Sequence, residues 1–260
     1  MQAPALFVSH GAPTFALDPG LLGPKLTQLG SLWPGLDAIA VVSAHWQTAG
    51  LEVMRTAAPE TIHDFGGFPE ALYRVKYPAP GAPAQAQAAA AILKSAGIAA
   101  AFEDERGLDH GAWVPLLHLF PSANVPVFQI SLPLACNAQN AFELGRALKG
   151  LRQRGVLIMG SGSLTHNLRE IGQTDPSYSR YAQEFTSWIR THVQSRDTDA
   201  LLDYRRRAPH ARRAHPTEEH FLPLLVALGA SEDTDGVNVI EGGMTYAVLS
   251  MESYAFARVS

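Results

Sequence analysis

Ten histidines and a single cysteine, Cys136, limit the metal chemistry that this sequence could support. One thiol cannot build a thiolate cluster, so a metal site would have to use imidazole and carboxylate ligands. Three histidines stand in comparable places along the chain. His10 lies one residue beyond the apolar run ALFV, His45 directly follows DAIAVVSA, and His166 lies a few residues beyond VLIM. Imidazole also transfers protons near neutral pH, because its ordinary pKa is about 6.5.

The elements that must position these histidines are predicted to be strands of a parallel sheet. Continuously apolar runs without polar alternation are typical of strands covered on both faces, and four occur, at 5–8, 37–44, 125–132 and 156–159. Helical patterns alternate with them, at 82–96, 137–154 and 178–195. The sequence therefore predicts an α/β fold with a mostly parallel central sheet and helices on both faces.

A single domain is expected over residues 1–260, because no linker or shift in composition marks a boundary. Sites in parallel α/β sheets lie at the carboxyl ends of the strands. His10, His45 and His166 would then converge on one edge of the sheet, where we expect a metal site. Taken alone, each of these histidines is more often a hydrogen-bonded structural residue than a ligand.

Two later segments carry histidines whose roles the residues alone leave open. In LDHGAW, Asp109 would suit a helix N-cap, and His110 could be a surface residue of the first helical turn. In HPTEEHFLPLL, Thr217 would suit the N-cap of an apolar helix. His220 would then lie about one turn into that helix, either as a partly buried structural residue or pointing into a pocket.

A loop rich in proline and glycine, at 57–83, interrupts the alternation of strands and helices. Long irregular loops in compact domains are often functional, and the aromatic residues here favour an ordered structure. We expect this loop to form a wall or lid of the site, with His63 available to contact a substrate. The basic run at 205–213 is either a solvated surface or an attraction for an acidic substrate. Four histidines remain unassigned: His118, His192, His210 and His215.

Composition and charge argue against several classes of protein. The formal charge of −4 and the pI of about 6.2 provide no basic field, so neither nucleic acid nor an anionic membrane is an expected partner. No apolar run approaches the roughly 20 residues of a membrane-spanning helix, and the N-terminal residues do not resemble a secretion signal. We therefore expect a cytoplasmic protein, either a monomer or a small homo-oligomer.

Six motifs of unusual composition follow one another along the chain: SHGAPT, VVSAHW, TIHDFGGFP, LDHGAW, SGSLTHNL and HPTEEHFLPLL. In this order they resemble the class III extradiol ring-cleavage dioxygenases, the LigB-type family, and within it the DOPA 4,5-dioxygenase-like branch. The resemblance extends almost to the end of the chain. It implies an enzyme that inserts O2 into a catechol, DOPA-like or another small one, and gives a ring-opened semialdehyde.

The resemblance also implies which residues hold the metal. Motifs matching His10 and His45 supply two ligands, and His220 stands where the third ligand lies. That ligand is a glutamate in the related protocatechuate enzyme, and Glu218 or Glu219 could still bring a carboxylate to the metal. The family normally uses non-haem Fe(II), which the redox step requires. Three neutral imidazoles also accept Zn(II) readily, so zinc could be the metal that the protein holds.

The acid–base pair of the family matches His110 and His166, and His166 could also act as a fourth metal ligand. Two alternatives remain at this stage. One is a zinc-dependent hydrolase, in which the metal lowers the pKa of bound water to about 7. The other is a non-catalytic member of the same fold that binds a metal or ligand. The presence of both His110 and His166 beside the three ligands favours an enzyme.

Overall fold

Ten strands are present in the computed structural model, which describes residues 2–258. In chain order they are β1 (Ala5–Ser9), β2 (Ala38–Thr48), β3 (Leu51–Met54), β4 (Ala100–Glu103), β5 (Val127–Pro133), β6 (Val156–Gly162), β7 (Asp235–Ile240), β8 (Met244–Thr245), β9 (Leu249–Ser250) and β10 (Ser253–Arg258). Eight of them form one sheet, and β8 pairs with β9 alone.

The helices alternate with these strands over most of the chain. They are α1 (Leu22–Ser31), α2 (Glu70–Tyr73), α3 (Pro83–Ser95), α4 (His110–Leu119), α5 (Ala138–Leu148), α6 (Pro176–Gln194), α7 (Thr198–Leu202), α8 (Tyr204–Arg207), α9 (Ala211–Ala214) and α10 (Leu222–Ala230). Short 3-10 segments lie at Pro13–Ala16, Lys149–Arg154 and Leu168–Glu170. Among residues 2–258, no helix combines the length and the apolar character needed to cross a bilayer.

The sheet has the order β4-β3-β5-β2-β6-β1-β10-β7. Its centre, β5-β2-β6-β1, is entirely parallel, and β4 runs parallel to β3. Strand β3 is antiparallel to β5, and β10 is antiparallel to both β1 and β7. The predicted α/β fold with a mostly parallel sheet is therefore confirmed. The antiparallel strands at the two sides are additions that the apolar runs did not indicate.

Helices cover both faces of the sheet, as the alternation of side chains along β6 shows. A Cβ placed on Gly160 or Gly162 would collide with the backbone at Pro223 or His220, at the start of α10. Ser161, between these glycines, points to the opposite face and donates a hydrogen bond to the carbonyl of Gly111 in α4. The buried apolar side chains of the strands and helices form one contiguous core.

Two local predictions need correction. The helix expected to begin at Thr217 begins at Leu222 instead, and the Thr217 hydroxyl donates to Glu219 rather than capping a helix. The reason is Pro223, which lacks an N–H and is tolerated only in the first helical turn. The second concerns β2, which extends through Thr48, so His45 lies within the strand rather than after it. His45 falls where the pairing of β2 with β5 shifts register, between Val42 and Gln47.

Candidate active site

Three histidines from distant parts of the chain direct their Nε2 atoms towards one point. His10 follows the last residue of β1, His45 lies in the irregular end of β2, and His220 precedes α10. The Nε2 atoms of His10 and His45 are 3.0 Å apart, and those of His45 and His220 are 3.3 Å apart. His10 and His220 are almost completely buried. The three residues predicted as metal ligands are thus brought together.

The hydrogen bonds at Nδ1 determine which ring nitrogens carry a proton. Nδ1 of His220 lies 2.9 Å from a carboxylate oxygen of Glu219, which can only accept, so Nδ1 donates. The Ser161 hydroxyl donates to the carbonyl of Gly111, so it accepts from Nδ1 of His10 at 2.9 Å. Both histidines therefore present the lone pair of Nε2 to the shared point, as metal-binding histidines do.

The spacing of these nitrogens fits a transition-metal ion. With metal–nitrogen bonds of about 2.1 Å, two ligands lie about 3.0 Å apart at 90° and about 3.4 Å apart in a tetrahedron. The observed separations of 3.0 and 3.3 Å fall in this range. One ring nitrogen of His110 also lies within 4.8 Å of those of His10 and His45, and Glu219, His166 and His220 form a second group with the same spacing.

Burial keeps these imidazoles neutral. It lowers the pKa of His10 and His220 well below the ordinary 6.5, and the neighbouring histidines lower it further. Burial likewise lowers the pKa of His45 and His166 to about 4. In each case a positive charge would lose its hydration inside a cluster of other imidazoles. At neutral pH the cluster consequently offers uncharged nitrogen ligands.

His110 is the first residue of α4, and its ring is buried rather than on the surface. Asp109 is the N-cap as predicted, since its carboxylate accepts from the backbone N–H of Ala112 at 3.1 Å. The same carboxylate accepts from Ser43 and Gln129, at 2.7 Å each, which ties the start of α4 to the central strands. The ring of His110 lies 3.9 Å from that of His45, measured between centroids.

Asp64, in the long loop, is a contact of the site that the sequence reasoning did not identify. Its Oδ1 accepts from both the backbone N–H and Nδ1 of His110, each at 2.9 Å. Burial opposes ionisation of Asp64, but these hydrogen bonds from His110 lower its pKa to about 2. The signal available in the sequence was the acidic residue within TIHDFGGFP. The loop therefore does reach the histidine cluster.

His63, predicted to contact a substrate, lies among the aromatic residues of the same loop. Its Nε2 donates to the carbonyl of Val75 at 3.0 Å. Its ring packs edge-on against Phe65 at 5.7 Å, and Phe65 in turn packs edge-on against His110 at 5.6 Å. Phe65 thus contacts both His63 and His110.

His166 lies beside His220 with its ring stacked face to face, at a centroid distance of 3.4 Å and an angle of 10°. Its backbone N–H donates to the carbonyl of Ala214. The two glutamates near His220 differ in their contacts. Glu219 bonds to His220, whereas Glu218 accepts from the hydroxyl of Tyr204 at 2.8 Å. Of the two carboxylates, Glu219 is the one that touches the cluster.

The remaining histidines make contacts of other kinds. Three of them bond to main-chain carbonyls (His118 to Phe15, His192 to Trp188 and His215 to Leu164), and His210 bonds to Glu184. The arginines of the basic run are largely paired with carboxylates of neighbouring elements, for example Arg206 with Asp203 and Arg213 with Glu170. This pairing favours a structural role over attraction of an acidic substrate.

An α/β sheet at whose edge five imidazoles come together, two of them held by carboxylates, has the features of a metal-dependent enzyme. Comparisons with known proteins specify the class. A model of the family described as the catalytic LigB subunit of aromatic ring-opening dioxygenase matches residues 30–257. The chain belongs to this family.

Similar proteins cover nearly the whole chain. A protein of Escherichia coli K12 named 4,5-DOPA dioxygenase extradiol is 38% identical, over 97% of this chain and 94% of the relative. A protein of Beta vulgaris with the same name is 37% identical, over 96% and 95%. The crystal structure of an uncharacterised Escherichia coli K12 protein superposes with a TM-score of 0.80 at 32% identity, covering 98% of this chain and 99% of that one. The predicted family and the predicted enzyme class, a metal-dependent extradiol dioxygenase, are confirmed.

Proposed function

We propose that this protein cleaves a DOPA-like catechol with O2 at a metal held by Nε2 of His10, His45 and His220. The observation that carries the proposal is the convergence of these three nitrogens, with separations of 3.0 and 3.3 Å. The sheet and the continuous core support residues 1–260 as one catalytic domain. Location in the cytoplasm and a monomeric or small homo-oligomeric state remain predictions.

Fe(II) is the proposed metal for activity. When bound, Fe(II) supplies the one-electron exchange that a reaction with O2 needs, which Zn(II) cannot supply. The three imidazoles are neutral and do not discriminate strongly against zinc, so Zn(II) is the proposed inactive occupant. Glu219 holds His220 through Nδ1, which orients this ligand and makes its Nε2 more basic.

His110 and His166 are the proposed proton handlers. His110 donates from Nδ1 to Asp64, which leaves Nε2 as the ring nitrogen that would exchange a proton with a catechol hydroxyl. His166 lies on the other side of His220, where it could return a proton to a reacting oxygen or bind the metal as a fourth ligand. A pair of bases, one beside His45 and one beside His220, would suit a substrate with two ionisable hydroxyls.

The substrate is proposed to be DOPA or another small catechol. Relatives covering nearly all of the chain carry the name 4,5-DOPA dioxygenase extradiol. The aromatic side chains of the loop would form the wall that meets the catechol ring, with Phe65 against His110 and His63 behind it. His63 remains the proposed substrate contact of the loop.

Oxygen uptake tests the proposal directly. Protein reconstituted anaerobically with Fe(II) should consume O2 with L-DOPA, or with another catechol of a broad panel, and a yellow ring-opened product should accumulate. The same protein loaded with Zn(II) should consume none. Failure of every catechol to raise O2 uptake above the metal-free control would contradict the dioxygenase function. In that event, hydrolysis by the zinc form or binding without turnover would become the better reading.

A further inference from the structure

A single oxygen of Asp64 holds His110 at two points. Oδ1 accepts from the backbone N–H of His110 and from Nδ1 of its ring, each at 2.9 Å. The backbone N–H belongs to the first residue of α4 and has no partner within the helix, because the first N–H groups of a helix lie beyond its internal hydrogen bonds. Asp64 therefore binds the main chain and the side chain of one residue at once.

The two hydrogen bonds determine both the orientation and the tautomer of the ring. An ionised carboxylate can only accept, so Nδ1 of His110 must carry a proton, and in the neutral ring the lone pair is then on Nε2. The anchored backbone N–H fixes the position from which the ring extends. On its other side the ring lies against His45, with centroids 3.9 Å apart, and Phe65 packs edge-on at 5.6 Å. Nε2 of His110 is consequently the ring nitrogen left to face the histidine cluster.

The segment that carries Asp64 is itself well anchored. Just before it, the backbone N–H of Ile62 donates to the carbonyl of Leu108 at 2.8 Å, and the indole of Trp113 donates to the carbonyl of Ile62 at 2.9 Å. The adjacent residue His63 donates to the carbonyl of Val75 at 3.0 Å. The backbone that carries Asp64 is therefore hydrogen-bonded to Leu108, just before α4, and to Trp113, in the first turn of α4. This anchoring allows Asp64 to hold His110 in place.

We propose that Asp64 is a positioning residue, which holds the neutral ring of His110 in its Nδ1-protonated tautomer with Nε2 aimed at the substrate hydroxyl. The kinetic consequence rests on the proposed dioxygenase function, whereas the tautomer of His110 does not. Aspartate is suited to this role because it is short enough to reach the start of α4 from the loop and ionised at neutral pH. Its side chain is 24% exposed, so the charge is not fully desolvated.

Two substitutions separate the hydrogen bonds from the charge. Both bonds reach Oδ1, and within residues 2–258 no hydrogen bond reaches Oδ2. Asp64→Asn can therefore keep both bonds on its amide oxygen, whereas Asp64→Ala loses both. Glu70→Gln is the matched control, since Glu70 lies on the same segment, is 83% exposed and, within residues 2–258, forms an ion pair with Arg74 alone.

We expect Asp64→Ala to lower kcat of the Fe(II)-loaded enzyme by roughly 100-fold, the lower range for loss of a general acid–base group. KM and the metal content should change by less than about threefold, because the metal ligands are not touched. Asp64→Asn should retain kcat within roughly tenfold of the parent, and Glu70→Gln should be unchanged. Loss of metal in proportion to activity, or a kcat for Asp64→Ala equal to that of Glu70→Gln, would overturn the proposal.

The ring tautomer provides a readout that does not depend on turnover. In metal-free protein at pH 7.5, ¹⁵N NMR of the imidazole should show His110 protonated at Nδ1 in the parent and in Asp64→Asn. In Asp64→Ala the Nε2-protonated form should become populated. An unchanged tautomer in Asp64→Ala would refute the positioning role. If the parent consumes no O2 with any catechol while the tautomer responds as expected, the proposed function fails and the positioning of His110 by Asp64 stands.

Discussion

His220 contacts both another proposed metal ligand, His45, and the proposed proton handler His166. Its Nε2 faces that of His45 at 3.3 Å, its Nδ1 is held by Glu219, and its ring face is covered by His166. A side chain fixed in three directions has little freedom to choose another rotamer, which is how preorganised metal ligands are supported. The stacking of His166 on this ring also places a second imidazole close to the proposed metal ligands.

Substitution of His220 and of His166 should therefore have different effects. His220→Ala removes a ligand and should reduce bound Zn(II) from about one per chain to near zero after dialysis. His166→Ala should keep at least part of the metal but lower O2 consumption with a catechol by roughly 100-fold or more. Metal analysis and oxygen uptake on the same samples measure both effects.

His192→Ala is the matched control for these variants, because His192 stacks on Trp188 in α6 and bonds to its carbonyl. It should leave metal content and activity unchanged. Complete loss of metal from His166→Ala would instead make His166 a primary ligand.

At the residue scale, the sequence predicts the site histidines but not the groups that orient them. His10, His45 and His166 could be related to one another because each follows an apolar run. Ser161 and Asp64 could not be identified from the sequence in this way, because they lie 151 and 46 residues from the histidines they contact. A hydrogen bond over such a separation leaves no local pattern, since it depends on how the elements pack rather than on neighbours in the chain.

At the element scale, the glycines of β6 determine how closely the segment before α10 approaches the sheet. A Cβ on Gly162 would lie 2.1 Å from the carbonyl oxygen of His220, and a Cβ on Gly160 would lie 2.0 Å from that of Pro223. Both oxygens belong to backbone, which cannot rotate away as a side chain would. The backbone N–H of Ser163 also donates to the carbonyl of His220, at 3.0 Å. The position of His220 is thus set by β6 as much as by its own segment.

Gly162→Ala should displace His220 and weaken the metal site. Overpacking of this kind costs about 1–3 kcal/mol of the free energy of unfolding, so we expect a lower thermal midpoint together with weaker Zn(II) binding. Calorimetry and zinc titration of the purified variant measure the two quantities. Gly150→Ala is the control, because nothing lies within 4 Å of a Cβ at that position. Wild-type zinc affinity in Gly162→Ala would show that the close approach does not position His220.

The same region shows where reasoning from local patterns fails. The residues from Thr217 onwards have the composition of a helix start, and the apolar run that follows them forms a helix, as predicted. Pro223 nevertheless confines the helix to Leu222–Ala230, which leaves His220 in an irregular turn. Because this turn is free of helical geometry, it can aim the imidazole at His45. Capping preference was outweighed by the steric requirement of a proline six residues later.

At the scale of the whole molecule, the strand order explains why the histidines meet. Strand β6 lies between β2 and β1, so the strand β2 that contains His45 is adjacent to β6, and β6 is adjacent to β1; these two strands precede His166 and His10. The class of fold was predictable from the apolar runs, since these are local. The order was not, because β6 pairs with strands more than a hundred residues earlier in the chain. Strand β3 escaped prediction because it has only four residues, and the edge strands β4 and β7 did so because they are short and partly exposed.

Burial of so many histidines in one molecule has a consequence for its stability in acid. Burial lowers the pKa of His45 and His166 to about 4 and that of His215 to about 3. In the unfolded chain each imidazole returns to an ordinary pKa of about 6.5. Between pH 6.5 and pH 4 the unfolded state therefore binds more protons than the folded state, and the free energy of unfolding falls as the pH falls.

The metal-free protein should accordingly lose stability between pH 7 and pH 5, by about 2 kcal/mol for a single such histidine and by more for the set. This window isolates the histidines, because Asp64, with a pKa of about 2 in the folded state, contributes only below about pH 4. Urea unfolding at a series of pH values measures the change. An unchanged midpoint from pH 7 to pH 5 would mean that the imidazoles are not desolvated in the folded protein.

Saturating Zn(II) should raise the urea midpoint at pH 7, since a metal that binds only the folded state stabilises it. The increase should become smaller as the pH is lowered, because protons compete with the metal for the same nitrogens.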